Sequence, residues 1–186
     1  MSGIISYGFV VPGEPQGKGR PRAARMGKQK FVRVYTPKET VDYENRIRLF
    51  FAERNPNAEL IDGPVQMTIY AYFSIPKSVS KKKREAMIAH EILPTKKPDA
   101  SNILKSFEDA LNGLAYNDDS QICSVNCSKV YGETPGCMCL VSEYLPSILD
   151  HRLKCECGWE GSVSNAVAGA HPDGRLSCPK CLRKVT

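Results

Sequence analysis

The stretch from Lys96 to Ile122, K-K-P-D-A-S-N-I-L-K-S-F-E-D-A-L-N-G-L-A-Y-N-D-D-S-Q-I, constrains the rest of the chain more than any other. Pro98 disfavours helix in the residue before it and is itself tolerated at a helix start, so a helix is expected just beyond it. Asp99 or Ser101 can cap that start. Ile103, Leu104, Phe107, Ala110 and Leu111 fall on one helical stripe, which must face a core. Asn102, Lys105, Ser106 and Asp109 lie on another side, and Lys105 is a neighbour of Asn102 on that surface. Gly113 is the expected stop. A second acidic pair, Asp118-Asp119, precedes an apolar strand start. The two sets of acids can therefore meet at one end of the helix, with Lys105 about a turn in. Carboxylates gathered in this way repel one another unless a divalent cation holds them. Magnesium suits such a site, because it takes hard oxygen ligands and commonly uses one or two carboxylates plus substrate phosphates. The same letters also fit a plain helix cap at Asp99 and a solvated turn at Asp118-Asp119.

The stretch resembles the central motif of the RusA family of Holliday junction resolvases, which reads close to K-P-D-x-D-N-x-x-K, then D-A-L-N-G, a short link and D-D-S-Q-I. Lys97-Pro98-Asp99, Asn102, Lys105, Asp109-Ala110-Leu111-Asn112-Gly113 and Asp118-Asp119-Ser120-Gln121-Ile122 match it in order. Ser101 stands where the family pattern has its second aspartate. Lys18-Gly19-Arg20-Pro21-Arg22 and Tyr35-Thr36-Pro37-Lys38 resemble further RusA-like segments, so the resemblance covers residues 1–145. It implies a magnesium-dependent endodeoxyribonuclease that resolves four-way junctions or related branched DNA in recombination and repair, with manganese as an alternative ion. It also implies a homodimer, and a phage or prophage setting fits the family. Asp99, Lys105 and Asp119 take the catalytic roles under this resemblance, and Asp99, Asp118, Asp119 and Ser101 surround the metal. Two other readings stay open. One is a non-catalytic DNA-binding protein whose nuclease site has degenerated, which Ser101 permits; the other is an RNase or flap nuclease on the same scaffold.

Around this motif the chain reads as α/β. Residues 4–11 form an apolar, β-branched run that predicts a strand. A Gly- and Pro-rich loop follows, carrying Lys18, Arg20, Arg22, Arg25, Lys28 and Lys30, with Glu14 its one acid. It is either a solvated loop or a DNA-binding one, and unopposed charge of this density favours phosphate contacts. Residues 31–35 predict a short strand. Thr36, Pro37 and Glu39 then predict a capped helix over 38–54, with Val41, Ile47, Phe50 and Phe51 facing inward and Arg46 and Arg48 on the surface. The alternation of Val65, Met67, Ile69, Ala71 and Phe73 marks the clearest strand, over 64–74. Ser80 starts a basic helix over 80–93. Residues 122–131 and 138–144 predict two adjacent antiparallel strands whose Cys123, Cys127, Cys137 and Cys139 either bind metal or, as their spacing favours, pack as small apolar groups. The expected fold is a small mixed sheet flanked by helices.

Cysteine usage separates the end of the chain from the rest. Of 8 cysteines, Cys155, Cys157, Cys178 and Cys181 form two close pairs about 20 residues apart, the spacing of a four-cysteine zinc ribbon. The expected domains are a nuclease domain at 1–145, a connector at 146–153 and a ribbon at 154–186. The ribbon is too short to build a sufficient core, so structural zinc would supply much of its folding energy. The net charge of +6 is compatible with a polyanionic partner. No apolar run approaches the ~20 residues of a membrane span. The N-terminal residues carry no export signal, so a cytoplasmic location is expected.

Overall fold

The computed structural model describes residues 4–25, 32–145, 152–162, 167–168 and 176–177. It divides into two compact units, residues 1–144 and 145–186.

In the first unit, β4 (Val65–Ser74) has every second side chain buried, as its alternation dictates. Being the most apolar strand, it takes the interior of the sheet and pairs on both edges. The order is β1-β6-β4-β5, with β1 at Ser6–Pro12, β5 at Ile122–Gly132 and β6 at Gly136–Glu143. β1 and β4 each run antiparallel to β6, while β4 and β5 are parallel. Parallel strands require a crossover connection. Here that crossover carries α2 (Lys81–Ile88) and α3 (Ala100–Leu111), so the central motif is the return path from β4 to β5. The expectation that β5 and β6 are adjacent is thus corrected: they run antiparallel, but β4 lies between them. β5 takes the edge because its own alternation is weak, with Cys123 and Val125 both exposed.

Two helices cover the core face. α1 (Lys38–Arg54) buries Thr40, Tyr43, Ile47 and Phe51, and α3 buries Ile103, Ser106, Phe107, Ala110 and Leu111. Phe107 joins the layers: its ring lies 6.2 Å from Phe9 of β1 and 6.3 Å from Tyr43 of α1. Ser106, placed on the polar side by sequence periodicity, is 1% exposed, and its hydroxyl is satisfied by the Asn102 carbonyl one turn back. Val41 and Arg46 also depart from expectation. Val41 is exposed, whereas Arg46 stacks over the Tyr43 ring at 5.8 Å and donates to the Pro12 carbonyl.

Local starts and stops differ at three places. The Thr36 capping box does not form: Pro37 is the cap residue of α1 and no side chain satisfies it. Thr40 does a different job, accepting a bond from Gly19 N–H at 3.0 Å. The basic segment read as a loop contains β2 (Arg22–Arg25), paired antiparallel with β3 (Val32–Tyr35). α2 ends at Ile88, short of residue 93, where His90 adopts a left-handed φ of 60°.

In the second unit β7 (Arg152–Lys154) pairs with β8 (Glu160–Ser162), and β9 (Val167–Ala168) pairs with β10 (Leu176–Ser177). Cys155 and Cys157 sit in the turn of the first hairpin, which Gly158 closes at φ 82°. Cys155 N–H donates to the Trp159 carbonyl at 2.9 Å. Cys178 and Cys181 lie outside the described residues, as do residues 146–151 of the expected connector.

Candidate active site

Two backbone devices hold the motif in place. At the start of α3, Asp99 is the cap residue, yet its side chain makes no capping bond. The Asp99 carboxylate is exposed and, among the described residues, accepts a bond from the Asn102 amide alone, at a long 3.4 Å, so it remains available. At the far end Gly113, at φ 72°, turns the chain, and its N–H donates to the Tyr116 carbonyl at 2.9 Å. Tyr116 is buried and its hydroxyl donates to the Glu108 carbonyl at 2.8 Å.

The turn after α3 is built by Gln121. Its amide donates at 2.9 Å to both Ile61 and Gly63 carbonyls, and its oxygen accepts from the Asn117 and Asp118 N–H groups. Asp118 caps the same turn from the other side, accepting from Ser120 N–H at 2.9 Å; the Ser120 side chain first and its N–H second hold the Asp118 carboxyl below its ordinary pKa of 3.8. The Asp118-x-x-Gln121 spacing is a capping box that the sequence carried openly and that sequence reading passed over. Asp118 is therefore committed to turn geometry. Asp119, the next residue, faces α3.

There Asp119 meets Lys105. Lys105 Nζ lies 2.8 Å from Asp119 Oδ2, 3.3 Å from Glu108 Oε2 and 3.3 Å from Asp109 Oδ1. The hydrogen bond that Lys105 donates to Asp119 is the main cause that raises the Lys105 pKa above 10.5, partly opposed by desolvation. Glu108 and Asp109 were missed as members of this cluster. The i,i+3 and i,i+4 spacings to Lys105 were the signal that could have found them.

Of the basic residues expected to bind DNA, Lys18 and Arg20 are described with side chains, whereas the side chains of Arg22 and Arg25, and Lys28 and Lys30 entirely, lie outside the described residues. Lys18 is already engaged inside the protein, in ion pairs with Asp109 and, at 3.6 Å, with Glu44. Arg20 is exposed. It lines an open groove of about 730 Å³ together with Gln16, Lys18, Lys97, Asp99 and Asn102. The groove therefore presents the ion-paired Lys18 and, without an ion pair among the described residues, Arg20 and Lys97, together with the exposed Asp99 carboxylate. Ser101 is exposed on the first turn of α3, two residues from Asp99.

Among the described residues, no three His, Cys, Asp or Glu side chains are gathered as a metal cage. Magnesium does not need one, since one or two carboxylates with water and substrate phosphate suffice. Asp99 and Asp119 have that hard-oxygen chemistry, and Asp99 has no competing backbone duty.

An available carboxylate, an acid-bound lysine and a cationic groove are the equipment of a protein that handles phosphodiesters. Comparison with known proteins gives that class a family. The family model Endodeoxyribonuclease RusA matches residues 12–141. Over 138 residues the chain is 39% identical to the uncharacterized protein YqaN of Bacillus subtilis (strain 168), covering 73% of this chain and 94% of YqaN. The chain belongs to the RusA family of endodeoxyribonucleases, a family of Holliday junction resolvases. None of its described helices is long and apolar enough to cross a membrane.

Proposed function

We propose that this protein is a magnesium-dependent, structure-selective endonuclease acting on four-way junctions or related branched DNA. The observation that carries the reading is the 2.8 Å bond between Lys105 and Asp119, on a helix whose first turn leaves the Asp99 carboxylate without a capping bond. Asp99 and Asp119 would hold the ion, with Ser101 contributing a neutral oxygen. Bound there, magnesium supplies Lewis-acid polarisation of the scissile phosphate and a more acidic water. Lys105, kept charged by Asp119, offsets negative charge that develops on the phosphate. Arg20 and Lys97 draw the DNA backbone into the groove, and Arg22, Arg25, Lys28 and Lys30 extend that grip. The family resemblance supports a homodimer that cuts symmetrically placed strands. Cys155, Cys157, Cys178 and Cys181 have the spacing to bind structural zinc, making the second unit a small contact module attached to the nuclease.

The test is a cleavage assay on a mobile four-way junction, a fork, linear duplex and structured RNA, with and without magnesium. Metal-dependent nicking of the junction in preference to duplex is the expected result. Tight junction binding with no cleavage in any divalent metal would overturn it in favour of a binding protein with a degenerate site.

A further inference from the structure

We infer that Lys18 and Asp109 form an internal relay that aims Lys105 at Asp119, so that Lys18 serves catalysis as a positioning residue and not as a phosphate contact. The inference rests on the reading of Lys105 and Asp119 as the catalytic pair.

The Asp109 carboxylate is shared between two ammonium groups. Its Oδ1 lies 3.3 Å from Lys105 Nζ, and its Oδ2 is paired with Lys18 Nζ. Lys18 also reaches Glu44 Oε1 of α1 at 3.6 Å. Charges thus alternate in a line: Glu44, Lys18, Asp109, Lys105, Asp119. Asp109 Oδ2 and Glu44 Oε1 are both shut off from solvent and, among the described residues, take no hydrogen bond of ordinary geometry. Lys18 is the cation that both face. A carboxylate oxygen shut off from water is unfavourable without a counter-charge, so moving Lys18 to a phosphate would leave Asp109 Oδ2 and Glu44 Oε1 uncompensated.

The backbone delivers Lys18 to that place. Lys18 N–H donates to the Asn102 carbonyl of α3 at 2.8 Å, and Gly19 N–H donates to Thr40 of α1 at 3.0 Å. Gly17 packs so closely on α3 that a Cβ there would stand 2.9 Å from both Pro98 Cβ and Asn102 Cβ. Residues 17–19 are therefore stapled between the two helices, and the Lys18 side chain enters the space between them.

The chemical consequence follows from competition. Three carboxylates contend for the Lys105 ammonium: Asp119, Glu108 and Asp109. With Lys18 on its far oxygen, Asp109 is partly neutralised and holds Lys105 loosely, which leaves the shortest bond to Asp119. Without Lys18, a fully charged Asp109 draws Lys105 away from the phosphate site.

The experiment compares Lys18→Met, Asp109→Asn and the double variant in the full chain, on a four-way junction at saturating magnesium, with Asp119→Asn as control. Lys18→Met is expected to lower kcat by on the order of tenfold to a hundredfold, as misplacement of a catalytic group does. Its slope of log affinity against log salt should stay unchanged. Adding Asp109→Asn should recover rate, because the competitor is neutral; in the Asp109→Asn background, Lys18→Met should cost nothing further. A slope reduced by about 0.9, the mark of a lost phosphate contact, or strictly additive losses, would overturn the relay. If Lys18→Met does not fold, the comparison of Asp109→Asn with the double variant decides by the same criteria. The control separates the two levels: active Asp119→Asn removes the catalytic reading itself, whereas inactive Asp119→Asn with a fully active Lys18→Met removes the relay alone.

Discussion

Lys105 Nζ and Asp119 Oδ2 stand 2.8 Å apart, joining the middle of α3 to the turn that follows it. The bond fixes Lys105 as a cation at neutral pH. Lys105 is held above its ordinary pKa of 10.5, chiefly by Asp119, so it is a cation and cannot serve as a general base there. The sign is that of a raised basic group: its stabilising contribution is complete below pH 10.5 and is lost as pH rises through the higher folded value. Any pH–rate limb between about 5 and 9 must therefore belong to another group.

Asp119→Asn should abolish cleavage while leaving junction affinity equal or higher. The change removes a metal ligand, and it also removes a negative charge that repels phosphate. Product formation at saturating magnesium, measured alongside the dissociation constant, checks both halves. Retained cleavage ends the assignment of Asp119.

Changing Arg20 and Arg22 together to Ala should weaken binding to junction, fork and duplex alike. Each phosphate contact releases about one counterion, so the salt slope should shrink by up to about 2. Arg20 lines the groove beside Asp99, which is why its loss should also be felt at low salt. An unchanged slope would assign these arginines to an idle surface.

Much of this was legible in the letters. β4 and the inward stripe of α3 announced themselves through period two and period 3.6, because burial on one face leaves a repeating trace. The stop at Gly113 was equally plain, whereas Asp99, which the letters also allowed as a side-chain cap, makes no capping bond. What the letters concealed was long-range pairing. Nothing local tells that β4 separates β5 from β6, since strand order is decided by which strand buries most. Nor could periodicity reveal that Ser106 is buried, because its hydroxyl is satisfied by its own helix. Lys18 is the sharpest case. In sequence it is one cation in a basic run, and only the packing of residues 17–19 between α1 and α3 turns it toward Glu44 and Asp109.

The sheet cysteines should divide by reactivity. Cys137 and Cys139 are buried and Cys123 is exposed. Desolvation pushes the Cys137 thiol up to about 11 and that of Cys139 well above 9.0. Thiolate is the reactive form, so a maleimide at pH 8 should label Cys123 in the folded protein and spare Cys137 and Cys139 until denaturant is added. Mass mapping of labelled peptides reads the result. Equal labelling of all three in native protein would contradict the buried placement.

Protein purified without chelator should carry about one zinc ion per chain, lost on Cys178→Ser. Truncation after Tyr144 should leave the nuclease unit folded, because it has its own core. Metal analysis that finds no zinc removes the ribbon assignment, and a truncated chain that fails to melt cooperatively shows that the first unit depends on the second.

Ser101→Asp should lower the magnesium concentration needed for half-maximal cleavage. Ser101 sits two residues after Asp99 on the exposed first turn of α3, where the family pattern places a carboxylate. A serine hydroxyl can ligate magnesium but brings no charge. Two unit charges at about 4 Å interact by ~4 kcal/mol at an effective dielectric near 20, and a divalent ion doubles that figure. Desolvation of the carboxylate and the ion cancels much of the gain, leaving roughly 1–3 kcal/mol, or about tenfold to a hundredfold in metal affinity. The wild-type protein should accordingly need more magnesium than relatives that keep the aspartate, and should respond well to manganese, which binds more tightly than magnesium at a weak oxygen site. A magnesium titration of both proteins on the same junction measures the shift. If the midpoint stays put or activity falls, another acid already meets the ion from the Asp119 side, and the serine marks a rearranged site in place of a weakened one.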